Sequence, residues 1–97
     1  MRIFSLKARL QKYLESHGII KQFQKQKHLF EQNPLHPSLR TEPLNPRKLK
    51  IYSFRITQKY RALFMYRGDD TVEIIEINDH YQWSERILSI LYKEPAR

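Results

Sequence analysis

The sequence predicts an α+β domain: an N-terminal helical hairpin packed on an antiparallel β-sheet, with a C-terminal helix. Three observations predict it. Apolar residues recur at helical spacing through the first third of the chain. Three strand-length segments rich in β-branched and aromatic residues follow. Helical spacing then returns near the C-terminus, so the order is α-α-β-β-β-α and the helices should cover one face of the sheet, leaving the other partly free.

In the first helix Leu6, Leu10, Tyr13 and Leu14 form the apolar side, with Lys7, Arg9, Gln11 and Lys12 between them. His17-Gly18 ends it, because glycine takes the left-handed cap conformation without steric cost. A second amphipathic stretch carries Ile19, Ile20, Phe23, Leu29 and Phe30 on one side. Lys21, Gln22, Gln24, Lys25, Gln26 and Lys27 fill much of the rest, and Asn33-Pro34 stops it. Residues 33–47 contain Pro34, Pro37, Pro43 and Pro46, which predicts a stiff extended loop and no regular element. The strands are predicted at 49–56, 60–66 and 71–77, joined by Thr57-Gln58-Lys59 and by a turn at Gly68-Asp69-Asp70. Before the helices, only Ile3-Phe4 hints at a strand. Trp83, Ile87, Ile90 and Leu91 mark the last helix, ending near Pro95.

Strand parity places the charges. Tyr52, Phe54 and Ile56 share one face of their strand, with Ser53 and Arg55 on the other. On the next strand Ala62, Phe64 and Tyr66 are the apolar set, while Arg61, Leu63, Met65 and Arg67 point oppositely. If the aromatic faces meet the helices, Arg55 and Arg61 emerge together on the uncovered face. Lys48 and Lys50 are expected to extend that cationic floor.

The chain has 97 residues, which fits one domain over 1–97, and it is 40% hydrophobic and 29% charged. Its formal net charge is +8. Residues 1–61 carry 14 basic and 3 acidic side chains, against 4 and 7 in residues 62–97. Such a basic surplus attracts polyanions, nucleic acid foremost, with an acidic protein as the other partner class. The absence of cysteine excludes disulfides, thiolate metal sites and a cysteine nucleophile. His17, His28, His36 and His80 are too scattered for a zinc site, so neither a metal nor a cofactor is expected. No apolar run is long enough to cross a bilayer. Met1–Lys7 lacks the apolar stretch of a signal peptide, which predicts a cytoplasmic protein with no membrane partner.

Glu42-Pro43-Leu44, Tyr52-Ser53-Phe54-Arg55-Ile56-Thr57, Arg61 and His80-Tyr81 occur in the order found in the RelE/ParE toxin superfamily. Over roughly residues 30–81 the chain most resembles the YoeB-like branch of these type II toxin–antitoxin toxins. The resemblance implies a ribosome-dependent messenger-RNA endoribonuclease held inactive by a cognate antitoxin, as a toxin–antitoxin hetero-oligomer or a homo-oligomer. It makes Glu42 the base that takes the ribose 2′-hydroxyl proton and His80 the acid for the leaving 5′-oxygen. Arg55 and Arg61 become the phosphate clamp, and Tyr81 a base-stacking or orienting residue. Those residue types suit that chemistry, which needs a base, an acid and fixed cations, with no metal. Lys48, Lys50 and Arg67 complete the expected RNA-binding set, and either lysine is an alternative to Glu42.

Plainer roles compete. Glu42 also reads as a solvated loop carboxylate. His80 also fits the start of the last helix, since Asp79 and Gln82 stand at capping-box spacing. The chain also departs from the YoeB-like pattern by continuing for 16 residues after His80-Tyr81. Within the superfamily, a gyrase-poisoning toxin without nuclease chemistry is the alternative function, and an inactive basic RNA- or protein-binding adaptor is another.

Overall fold

The computed structural model describes residues 1–79, and in them two helices lie on one face of a five-stranded sheet. The elements are β1 (Arg2–Ile3), α1 (Ala8–Ser16), α2 (Ile20–Gln32), β2 (Glu42–Pro43), β3 (Tyr52–Arg55), β4 (Arg61–Tyr66) and β5 (Thr71–Asn78). Short 3-10 turns occupy Pro37–Leu39 and Arg47–Leu49. The sheet order is β1-β5-β4-β3-β2. The predicted C-terminal helix lies outside the described residues.

The helical hairpin forms where the spacing places it. At the end of α1, Gly18 adopts φ 66°. Its N–H donates to the Glu15 carbonyl at 3.2 Å and the Ile19 N–H donates to the Leu14 carbonyl at 3.1 Å. This pair of bonds is a Schellman motif, and Leu14 and Ile19 supply its buried apolar contact. From α2, Phe23 and Phe30 descend on the sheet. The Phe30 ring centroid is 5.1 Å from that of Phe54 and 5.0 Å from that of Phe64, the latter edge-on. Ala62, Val72, Ile74 and Ile77 complete the floor under the helices.

The central meander matches the predicted one: β3, β4 and β5 are antiparallel, with Phe54 opposite Ala62 and Arg55 opposite Arg61. Three features differ from the sequence expectation. First, the sheet is mixed and not purely antiparallel, because β1 pairs with β5 in parallel. A two-residue strand leaves no period for the sequence to display. Second, the proline-rich stretch is not element-free. Glu42–Pro43 pairs with Ser53 and Tyr52 as an edge strand, a place where proline's missing N–H does no harm. Third, β3 begins at Tyr52 and not at 49, since Leu49 ends a 3-10 turn and Lys50 takes φ 57°.

The face opposite the helices is partly free, as expected. Leu44 and Ile51 bury Leu63 and Ile75 there. Ile75 reaches that side through a bulge, where Leu63 pairs with Glu76 but Phe64 with Ile74, leaving Ile75 as the extra residue.

Gln26 also departs from its expected polar side of α2. It is 7% exposed, and its Nε2 donates to the carbonyls of Arg55 (2.8 Å) and Ser38 (3.3 Å), tying the helix layer to the end of β3. No helix among the described residues is long and apolar enough to cross a membrane.

A Cβ added at Gly18 meets nothing within 4 Å, so substitution there costs backbone conformation alone. Gly18→Ala is expected to lower the unfolding free energy by about 1 kcal/mol, and Phe30→Ala by about 3–5 kcal/mol, in urea denaturation. An equal loss in both would show that the cap is held by more than backbone freedom.

Candidate functional site

The register of β3 with β4 sets Arg55 and Arg61 directly opposite each other. Both stand on the face away from the helices, because their neighbours Phe54 and Ala62 are in the helix-side core. Like charges in opposed positions repel, so the arrangement needs partners. Ser53, two residues before Arg55 on the same face, is 1% exposed and provides one of them. Arg61 donates to Ser53 Oγ through Nε (3.1 Å) and Nη2 (2.8 Å). Nη2 also donates to the Arg40 carbonyl at 3.0 Å, a residue held at φ 49° after the Pro37–Leu39 turn.

Glu42 reaches the same spot from the edge. It is in register with Ser53, and its Oε2 lies 3.4 Å from Arg61 Nη2. The Glu42 side chain is 59% exposed and that of Arg61 15%. With its acid in water the pair adds little stability. Burial pushes the Arg61 guanidinium below its usual value; Glu42 opposes that shift, while Arg55 and Arg40 add to it. Three guanidinium-bearing residues thus act together with one carboxylate, and the local surplus is positive. Arg55 Nε is buried and has no hydrogen-bond partner among the described residues, while the Arg55 carbonyl accepts from Gln26.

The structure therefore brings Glu42, Arg55 and Arg61 together. Lys48 and Lys50 are exposed at the opening of β3, and Arg55 is at its close. Lys50 is thereby separated from Arg55 by roughly 15 Å of strand. Arg67 follows the far end of β4, about 20 Å from Arg61 along the strand, and its Nε donates to Glu73 Oε1 at 2.8 Å. His80 and Tyr81 lie outside the described residues. Asn78, two positions before His80 in sequence, is in register with Arg61. Three participants escape the sequence reading: Ser53, Arg40 and Gln26. For Ser53 a signal existed, since strand parity alone places it beside Arg55.

Chemically, this is a fixed cationic surface with a solvent-facing carboxylate at its rim. Guanidiniums fixed in this way can receive an oxyanion without reorganising, and a carboxylate beside them can take a proton. Among the described residues no group of His, Asp and Glu is arranged to hold a metal ion.

Neither a protein-family model nor a curated protein sequence matches the chain. Solved structures do. A YoeB/ParE toxin from Agrobacterium tumefaciens superposes with a TM-score of 0.64 at 17% identity, over 84% of this chain and 100% of that one. A YoeB–YefM complex from Staphylococcus aureus gives 0.60 at 22% identity, over 84% and 97%. A heterotetrameric YoeB–YefM toxin–antitoxin complex from the same organism gives the same values. The helical hairpin and the five-stranded sheet, with the paired arginines on the face away from α1 and α2, thus share the fold of these YoeB/ParE toxins.

Proposed function

We propose that this chain is the toxin of a type II toxin–antitoxin system and cleaves messenger RNA on the ribosome. One observation carries the proposal: Arg55 and Arg61 stand opposite each other on the face away from α1 and α2, with the Glu42 carboxylate 3.4 Å from Arg61. A phosphodiester held by the two guanidiniums has its flanking ribose within reach of Glu42. The carboxylate accepts the 2′-hydroxyl proton as O2′ bonds to phosphorus. The P–O5′ bond breaks, a 2′,3′-cyclic phosphate forms, and the guanidiniums stabilise the added charge. The 5′-oxygen needs a proton in return, and His80 is the donor that the sequence motif nominates, with Tyr81 orienting the nucleotide beside it. Lys48 and Lys50 serve as outlying contacts for the RNA backbone.

The partner proposed is an antitoxin with an acidic segment that orders on the basic face and covers it, as coupled folding and binding allows. The solved YoeB–YefM complexes support that pairing. Mass action on such a complex makes the free toxin the active form.

Induced expression followed by mapping of messenger-RNA ends on translating ribosomes tests the activity. Wild type is expected to give ribosome-dependent cuts, and Arg61→Ala to lower cleavage by about 10²–10³-fold. Growth arrest with DNA breaks and intact messages would replace the proposal with gyrase poisoning. Unaffected growth and translation would leave a binding adaptor.

Glu42→Gln separates binding from chemistry. Cleavage is expected to fall by about 10²–10⁴-fold, while affinity for a 2′-O-methyl RNA holds or tightens, because the carboxylate competes with phosphate for Arg61. Weaker binding in this variant would remove Glu42 from the role of base and make it a contact residue.

A further inference from the structure

Arg61 has five N–H groups on a planar fork. Three are engaged inside the protein: Nε and Nη2 with Ser53 Oγ, and Nη2 again with the Arg40 carbonyl. Among the described residues nothing accepts from Nη1. The side-on edge of the guanidinium, the edge that grips a carboxylate or phosphate with two parallel bonds, is therefore taken by a neutral hydroxyl. Among the described residues, the Nη1 end is the part left for a ligand.

The obvious competitor for the side-on edge is close by. Glu42 Oε2 is 3.4 Å from Nη2, and a rotation of the exposed acid and the guanidinium would make a two-bond, charge-assisted pair. That pair would neutralise the cation on which an anion site depends. Ser53 is 1% exposed and cannot move aside, because its strand is held between β2 and β4.

We propose that Ser53 is a positioning residue: its hydroxyl fills the side-on edge of Arg61, keeps that edge from closing on Glu42, and directs Nη1 toward a phosphate oxygen. The identity of the ligand, RNA, rests on the function proposed above. The contact itself does not.

Two measurements on the full chain test it. The first is affinity for a fluorescent 2′-O-methyl RNA oligonucleotide, a probe that cannot be cleaved. Ser53→Ala is expected to weaken binding roughly tenfold, the scale of one hydrogen bond to a charged group. Adding Glu42→Gln to Ser53→Ala is expected to restore it, a larger gain than Glu42→Gln gives in the wild-type background, because the competitor matters most once the edge is vacated. A merely structural role for Ser53 predicts the same gain in both backgrounds. The second is the Arg61 Nε–H signal in ¹⁵N-labelled protein, expected to be protected from exchange in wild type and displaced in Ser53→Ala.

Wild-type affinity in Ser53→Ala, or a gain from Glu42→Gln that is no larger in Ser53→Ala than in wild type, overturns the proposal. If wild type binds no RNA at all, the nuclease function falls, and the Nε–H signal alone decides about Ser53: an unchanged signal in Ser53→Ala overturns the positioning role, and a displaced one supports it. Should Ser53→Ala fail to fold, Ser53→Cys keeps the volume with a weaker acceptor and takes its place under the same expectations.

Discussion

Everything at the site follows from the register in which Phe54 of β3 pairs with Ala62 of β4. Phe54 is fully buried, with ring neighbours Phe23, Phe30 and Phe64, and the small Ala62 opposite leaves it room. A slip of one residue would turn every side chain of the strand over. It would put Phe54 in water and drive Arg55 into the core, where desolvating an ion costs several kcal/mol. Apolar and ionic terms therefore oppose the slip together. The two arginines are held on one face by the same packing that holds the core together, and no flexible loop is asked to aim either of them.

That precision brings an electrostatic burden. Two cations face each other, and a third, Arg40, adds to the field around Arg61. The fold meets this with neutral dipoles: a serine hydroxyl and a main-chain carbonyl for Arg61, and a buried glutamine that fixes the backbone of Arg55 from the helix side. Dipoles of this kind orient a charge without cancelling it. A second carboxylate in their place would have made a quieter surface and a poorer anion site. Glu42, the acid paired with Arg61 among the described residues, is largely in water, where its attraction is weak.

Much of this was visible in the sequence, and the reasons for success and failure are physical. The meander and the helical hairpin are long enough to show their periods, so α1, α2, β3, β4 and β5 were legible, as was the shared face of Arg55 and Arg61. Glu42–Pro43 was not, because a two-residue edge strand has no alternation and proline argues against pairing. Arg2–Ile3 failed for the same want of length. Gln26 was misplaced because a polar residue on an amphipathic helix is read as solvent-facing, and only the exposed carbonyls of Ser38 and Arg55 give it a reason to be inside. Strand parity put Ser53 on the face of Arg55, but its bond to Arg61 depends on the cross-strand register, which parity does not give. The bulge at Ile75 had one mark in the sequence, two adjacent isoleucines between Glu73 and Glu76 where strict alternation calls for one.

The buried Nε of Arg55 has no hydrogen-bond partner among the described residues. A desolvated donor on a strand opposite a second cation weakens the native state. A β-branched apolar residue in its place would give a sturdier fold with one charge fewer on that face. Folding stability alone therefore disfavours arginine at position 55, and any advantage of that charge has to come from something other than the fold.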